Sequence, residues 1–324
     1  RVDIVFIDVR RGRLPYFFSM LAGLARHTRT ATHPLPQHTL GVGGLFEMLL
    51  MLSCRRFRQS QKILWLRGIF FDEKADRVPS ALRGAARKME GLLLSQAELL
   101  LTNGADIRGH YARYGLESVV IENGVDSRRW NMPSPQLGSV LRVGYIGRLS
   151  KVKGIEEFLQ LAEQTQAAPG ESQFEFHVIG AGPYAEQALA LQAKGALTYH
   201  GSVAREDLPA ALERLDVCVA LTFASPQLGG GGTSNAMMEQ MAAGRVILAW
   251  DNVIFRQLLN AQSGYLVRQG DVGALLRALC EIASDRKEAL ARSLEARAAM
   301  ANYSIEAQWS RFHQAVTAAP IAWR

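Results

Sequence analysis

Residues 229–250 read GGGGTSNAMMEQMAAGRVILAW, and this stretch decides the fold. Four consecutive glycines lose so much backbone entropy on ordering that they suit a loop whose backbone approaches a ligand. Ser234 is a residue type that favours the start of a helix, and Gly244 one that favours its end. The stretch therefore predicts a glycine loop, a helix over residues 235–243 and a short buried strand over residues 246–250.

The start of that predicted helix is suited to binding an anion. Its first amide groups have no partner within the helix, and the helix dipole is positive at this end. Glu239 follows Asn235 by one turn, so it lies on the same face and can contact a ligand bound at the helix start. Met237, Met238 and Met241 are predicted to form the buried face.

The string from Gly232 to Gly244 resembles the donor-site helix of the family 4 retaining glycosyltransferases. Those enzymes carry one glutamate, seven further residues and a second glutamate, followed by a Met-Ala-x-Gly turn. Glu239 occupies the second glutamate position here, but the first position is Gly231. Because that first residue usually contacts the transferred sugar, the resemblance leaves the choice of sugar and the activity itself open.

A second motif lies in residues 147–154, which read GRLSKVKG between a predicted buried strand and an amphipathic helix. It resembles the Gly-Arg-Leu…Lys-Gly signature of the same family. A sugar nucleotide loses a diphosphate whose negative charge grows as the glycosidic bond breaks. Arg148 can bind two phosphate oxygens at once, and Lys153 can supply a point charge, so both would stabilise the leaving group.

The resemblance implies a complete set of donor-site residues and a substrate. Base recognition falls to backbone groups near Val203, the ribose hydroxyls to Glu239, and the phosphates to the glycine loop and helix start. The substrate is a UDP- or GDP-linked sugar, with no further cofactor and no metal. The expected catalytic residues are Arg148, Lys153 and Glu239, and the expected donor-binding residues are Gly147, Gly180, Gly182, Val203, Gly231, Gly232, Thr233, Ser234 and Asn235.

Composition and charge limit the class of protein. The 324 residues suffice for two domains, and 48% apolar with 21% charged residues is typical of a soluble globular chain. The three scattered cysteines indicate reduced thiols in the cytoplasm, no apolar run is long enough to span a membrane, and the lack of an initial methionine suggests that an N-terminal piece is missing. Residues 1–135 hold 20 Lys and Arg against 12 Asp and Glu, while the remainder holds 17 against 18. The basic half suits an anionic partner such as acidic lipid, but a merely solvated basic surface fits equally well.

The resemblance implies a GT-B fold of the α/β class. Two Rossmann-like domains with parallel sheets would face each other across a cleft, and a C-terminal helix would cross back onto the first domain. The Asn-Gly-Val-Asp turn at residues 123–126 ends the first domain in this family. We therefore expect an acceptor-binding domain over residues 1–135, a nucleotide-sugar-binding domain over 136–300 and a returning helix over 301–324.

The acceptor side offers fewer signals. Gly12 follows a predicted strand, where open α/β sheets bind ligands. Arg67 stands where the family often has a catalytic histidine, and some surface-polysaccharide members have arginine there with an acid shortly after, as Asp72 is here. Arg67 and Asp72 are either acceptor-site residues or an ion pair at the domain edge. Residues 45–54 form either a core helix or an interfacial membrane helix with a basic rim.

The predicted function is that of a retaining, metal-independent hexosyltransferase in cell-surface polysaccharide synthesis. It would use a glycan or polyprenyl-phosphate-linked acceptor, in the cytoplasm or peripherally on the inner face of the cytoplasmic membrane, with no nucleic-acid partner. One alternative is a non-catalytic nucleotide- or glycan-binding relative, because of Gly231. A more remote one is an NAD(P)-dependent oxidoreductase, since residues 180–185 fit the dinucleotide glycine pattern, although the expected acid after the next strand is missing.

Overall fold

The computed structural model describes residues 38–53, 57, 60–69, 79–166, 173–224 and 234–318. The chain divides into two compact units, the first comprising Arg1–Ile121 with Arg311–Arg324, and the second Glu122–Ser310. The predicted domain boundary at residue 135 lies within the second unit, because Val125 and Trp130 are buried in that unit's core. Each unit is an α/β structure with its own parallel sheet.

The first unit is a four-stranded parallel sheet in the order β1-β2-β3-β4. Its elements are β1 (His38–Gly43), α1 (Leu45–Ser53), β2 (Gln61–Leu66), α2 (Ser80–Leu94), β3 (Leu99–Thr102), α3 (Ala105–Ala112) and β4 (Val119–Val120). Buried residues of β2, β3, α1 and α3 pack on one face. On the other face, Phe312 and its neighbours from the C-terminal helix pack against Ile63 and Leu101.

The second unit is a six-stranded parallel sheet in the order β10-β9-β8-β5-β6-β7. Its strands are β5 (Leu141–Ile146), β6 (Phe174–Ile179), β7 (Thr198–Tyr199), β8 (Val217–Ala220), β9 (Val246–Trp250) and β10 (Tyr265–Val267). Its helices are α4 (Ile155–Gln166), α5 (Ala185–Ala193), α6 (Leu208–Glu213), α7 (Asn235–Ala242), α8 (Val272–Ser284), α9 (Arg286–Ala299) and α10 (Ile305–Ala318), the last continuing into the first unit. All five residues of β9 are buried, as a central strand covered on both faces requires.

The prolines, glycines and histidines of residues 28–43 are typical of a loop, but His38–Gly43 is strand β1, paired in parallel with β2. Helix α1 buries Met48, Leu50 and Met51, which favours the core helix over the interfacial membrane helix. On the last helix, Phe312 packs against the core of the first unit, while Trp309 is 64% exposed.

Candidate functional site

The loop after β5 is fixed by a buried tyrosine. The hydroxyl of Tyr145 donates to the carbonyl oxygens of Arg148 and Lys153, at 2.8 and 3.2 Å. Burial raises the pKa of Tyr145 well above its ordinary value, so the hydroxyl keeps its proton and remains a donor. One side chain thus holds both ends of the loop, and with them the backbones that carry the two predicted cations.

Those two cations lie close enough for their charges to interact. Arg148 is exposed, and Lys153 ends the short 3-10 turn Lys151–Lys153 in a half-buried position. Burial and then the positive charge of Arg148 lower the pKa of Lys153. Within the described residues neither cation forms an ion pair with a carboxylate. Two neighbouring cations without a carboxylate partner form a surface that favours an anion.

The glycines at 180 and 182 are required by packing. A Cβ at Gly180 would lie 1.9 Å from the carbonyl oxygen of Gly147, and one at Gly182 would lie 2.3 Å from that of Leu149. Leu149 N also donates to the Ala181 carbonyl at 2.9 Å. The glycines after β6 therefore let residues 180–182 pack directly on residues 147–154, the cation loop that carries Arg148 and Lys153. This packing explains the glycine pattern without a bound dinucleotide.

The cation loop also packs against the chain that leads to α7. Phe223 N donates to the Val152 carbonyl at 2.9 Å, and a Cβ at Gly154 would lie 2.3 Å from the Leu221 carbonyl oxygen. These contacts follow from the sheet order, because β5 and β8 are neighbours and their carboxyl ends meet at one edge. Ser234 then caps α7, its hydroxyl accepting from Met237 N at 3.4 Å.

Glu239 lies on α7 with its side chain 20% exposed. Burial raises its pKa, and the charges of Arg205 and then Arg129 oppose that rise. Arg205 Nη2 is 3.8 Å from Glu239 Oε1, and Arg129 Nη2 donates to the Arg205 carbonyl oxygen. Neither arginine was predicted from the sequence. No local pattern identifies them, because they are distant from Glu239 in the chain.

The remaining predicted residues fall in different places. Asn235 is exposed at the first position of α7, and Val203 is half-buried in the loop after β7. That loop is bonded to the site, since Gly180 N donates to the Gly201 carbonyl at 2.8 Å. The predicted residues Gly231, Gly232, Thr233, Gly12 and Asp72 lie outside the described residues.

Arg67 is the acceptor-side residue that the structure describes. It follows β2, is exposed, and its guanidinium carbon is 5.5 Å from the centroid of the Trp65 ring. Partial burial lowers its pKa. Because Gly43 pairs with Leu66 and Leu66 with Thr102, the residues after these strands, including Arg67 and Asn103, follow one another along one edge of the sheet. Whether Arg67 pairs with Asp72 stays a prediction.

The described residues hold no group of three or more His, Cys, Asp and Glu placed to bind a metal ion. Among them there is also no helix with the length and apolar character needed to cross a bilayer.

The chain has two α/β units, each with a sheet of parallel strands, and this architecture defines the class of protein as the GT-B fold. Solved structures agree with this assignment. The chain superposes on HepE from Anabaena in complex with UDP with a TM-score of 0.72, at 16% identity, covering 92% of this chain and 82% of that one. Sucrose-phosphate synthase from Thermosynechococcus elongatus gives 0.70 at 18% identity, with 94% and 79% covered. A glycosyltransferase from Rickettsia africae gives 0.71 at 12% identity, with 96% and 83% covered.

A family match lies within the second unit. Residues 141–285 match the family model described as Glycosyl transferases group 1, so the chain is similar to that family through this segment. It is 30% identical over 148 residues to the 2-deoxystreptamine N-acetyl-D-glucosaminyltransferase of Streptomyces fradiae, covering 44% of this chain and 34% of that protein. It is 30% identical over 178 residues to the phosphatidyl-myo-inositol mannosyltransferase of Mycobacterium leprae, covering 51% and 44%. The matches thus span less than half the length of either relative.

Proposed function

We propose that this chain transfers a sugar from a nucleoside-diphosphate sugar to a hydroxyl of a glycan or lipid-linked acceptor, with retention of anomeric configuration. The observation that carries the proposal is the adjacent pair Arg148 and Lys153, held at the carboxyl end of β5 by Tyr145. Their loop is bonded to the chain that leads to the capped start of α7. A diphosphate is bound well by cations together with free helix amides, and we place it between this pair and the start of α7. The match of residues 141–285 to the family model and a structural neighbour crystallised with UDP support a nucleotide donor.

The proposed reaction breaks the bond between the sugar's anomeric carbon and the diphosphate oxygen, and the bonding electrons leave with the diphosphate. The acceptor hydroxyl forms its new bond on the same face, and its proton passes to an oxygen of the departing phosphate. No enzyme nucleophile and no metal enter this scheme. Arg148 and Lys153 neutralise the charge that develops on the leaving group, so their interaction is strongest where it accelerates the reaction.

Other residues hold the donor in place. Glu239, half-buried on α7, accepts hydrogen bonds from the ribose hydroxyls. The loop around Val203 contacts the base, while the chain from Gly231 to Asn235 contacts the phosphates and sugar. Gly180 and Gly182 allow their loop to pack closely against the backbone of Gly147 and Leu149. The exposed guanidinium of Arg67 serves the acceptor in the first unit, together with Gly12 and Asp72.

A non-catalytic nucleotide-binding relative is the second candidate, and Gly231 is the observation that favours it. A glycine there supplies no carboxylate for the sugar hydroxyls. Such a protein would bind a nucleoside diphosphate and its sugar conjugate with similar affinity but transfer nothing. Product formation with a panel of sugar nucleotides and glycan acceptors, followed by mass spectrometry, separates the two candidates.

The test of the donor site is nucleotide binding by Arg148→Ala. We expect UDP or GDP to raise the melting temperature of the wild type, and the variant to bind the same nucleotide at least about tenfold more weakly, because a charged hydrogen bond to phosphate is lost. Arg277→Ala is the matched control, since Arg277 is 72% exposed on α8 and pairs with Asp271. Equal affinity of both variants would count against the assigned site.

We further propose that the chain acts in cell-surface polysaccharide synthesis at the inner face of the cytoplasmic membrane, on an acceptor such as a polyprenyl-phosphate-linked glycan. The positive excess of residues 1–135 supports attraction to acidic lipid. Co-sedimentation with vesicles of acidic phospholipid should decrease as salt is added. Equal recovery with neutral and acidic vesicles would remove the membrane part of this proposal.

A further inference from the structure

The charges of two arginines from different segments act on Glu239, and the donor chemistry described above uses neither arginine. Arg205 lies in the loop after β7, where its Nη2 is 3.8 Å from Glu239 Oε1 and its side chain is 78% exposed. Arg129 lies near the start of the second unit, and its charge also acts on the Glu239 carboxyl group. Both residues and Glu239 belong to the second unit, so these contacts lie within one compact body.

Arg129 is itself held in place. Its guanidinium carbon is 5.4 Å from the centroid of the Trp130 ring, and Trp130 is 1% exposed. From there its Nη2 donates to the carbonyl oxygen of Arg205. The buried indole therefore supports Arg129, Arg129 ties the backbone at Arg205, and the Arg205 side chain returns to Glu239.

This arrangement matters because Glu239 is largely removed from water. A carboxylate accepts hydrogen bonds from two ribose hydroxyls better than a protonated carboxyl group, which must also donate. Burial favours the protonated form, and the two guanidinium groups oppose it. Among the residues that the structure describes, Arg205 and Arg129 are the positive charges that act on this carboxylate.

We propose that Arg129 and Arg205 are positioning residues that keep Glu239 an ionised ribose acceptor and fix the loop after β7 beside it. The inference rests on the proposed donor site, because Glu239 is assigned there to the ribose. Arg205 acts on Glu239 directly. Arg129 acts through its charge and through the backbone of Arg205, so loss of Arg129 also loosens the loop that contains Val203.

The experiment measures UDP affinity by calorimetry from about pH 5 to about pH 8 for the wild type, Arg205→Ala and Arg129→Ala. Burial raises the pKa of Glu239, and removal of a nearby positive charge raises it further. We therefore expect both variants to lose affinity at higher pH than the wild type does as the solution is acidified. Near neutral pH we expect a loss of about threefold to tenfold.

Three further variants separate positioning from general structure. Arg205→Lys keeps the charge and should restore most of the affinity and the wild-type pH profile. Glu239→Gln should weaken binding and remove the part of the pH dependence of affinity that the Glu239 carboxyl group causes, because the amide does not titrate. Arg128→Ala is the matched control, since Arg128 adjoins Arg129, is 82% exposed and pairs with Asp126. Melting temperatures without nucleotide identify any variant that fails to fold.

The outcomes distinguish the inference from the proposed function. If the wild type binds no nucleoside diphosphate, the donor site itself is wrong. If the wild type binds UDP and both alanine variants bind it equally well with an unchanged pH profile, the donor site stands and the positioning role is overturned. Tighter binding by Arg205→Ala would also overturn it, because Arg205 would then compete with the ribose for Glu239.

Discussion

At Gly180 the backbone lies so close to a neighbouring loop that a side chain would collide with it. Its φ of 143° and the 1.9 Å separation of a Cβ from the Gly147 carbonyl oxygen both exclude other residues. We expect Gly180→Ala to lower the free energy of unfolding by about 3 kcal/mol. Nucleotide affinity should fall as well, because the displaced loop carries Arg148.

Gly201→Ala is the control for this prediction. Gly201 also has a positive φ, 66°, but no heavy atom lies within 4 Å of a Cβ added there. Its replacement should cost only about 1 kcal/mol, the strain of the left-handed conformation. Urea unfolding curves measure both values. Equal destabilisation by the two substitutions would show that strain, and not the collision with the loop, explains Gly180.

We expect the histidine pair His177 and His200 to make the second unit sensitive to acid. Nδ1 of His177 is 3.1 Å from Nε2 of His200, and burial lowers the pKa of both imidazoles. The folded state thus favours the neutral rings. The contribution of this pair to the free energy of unfolding is therefore complete above the unfolded histidine pKa of about 6.5 and is lost as pH falls below it. We expect the urea midpoint to fall on acidification.

The variant His177→Gln tests this assignment. It removes one titrating ring from the pair, so its urea midpoint should depend less on pH than that of the wild type. His313→Gln, which changes an exposed histidine on α10, is the matched control. A midpoint of His177→Gln that falls with acid as steeply as the control's would contradict the role of the pair.

At the scale of the element, the start of α7 combines a structural and a binding role. Ser234 caps the helix through the bond from Met237 N. Ser234→Ala should therefore destabilise the protein by about 1 kcal/mol. Ser234→Asp should retain the cap and the stability, but its negative charge would repel a diphosphate. We expect UDP affinity to fall in Ser234→Asp while uridine affinity stays unchanged. A parallel loss of both affinities would mean that no phosphate lies near this helix start.

Several elements could be predicted from the sequence because their signals are local. Strands Leu141–Ile146 and Phe174–Ile179 are visible in the sequence, since short apolar runs bounded by turn residues suit central strands. Strand β1 could not be predicted in this way, because the prolines, glycines and histidines around it indicate a loop. It is a strand through its parallel pairing with β2, an interaction that no local pattern contains.

The candidate site likewise contains residues that the sequence could predict and residues that it could not. Arg148, Lys153 and Glu239 stand in motifs whose spacing is visible in the sequence. The arginines near Glu239 come from separate segments, one near the start of the second unit and one after β7. Only the folded sheet brings those segments together, so residue pattern alone could not identify them.

At the scale of the whole molecule, the division into two units predicts that the second unit folds alone. Its large core is built from residues between Val125 and Met300, all inside Glu122–Ser310. The part of α10 beyond Ser310 packs instead, through Phe312, on the core of the first unit. A fragment spanning residues 122–310 keeps every described contact of the proposed donor site, together with the full hydrophobic core.

We therefore expect this fragment to unfold cooperatively. Because it keeps the donor-site contacts, it should bind UDP within about threefold of the full chain's affinity, a difference under about 1 kcal/mol. The fragment should show no transfer, since the acceptor residues proposed in the first unit are absent. Circular dichroism during urea unfolding tests the first expectation, and calorimetry the second. A cooperative fragment that binds no UDP, beside a full chain that does, would mean that the first unit supplies part of the nucleotide site.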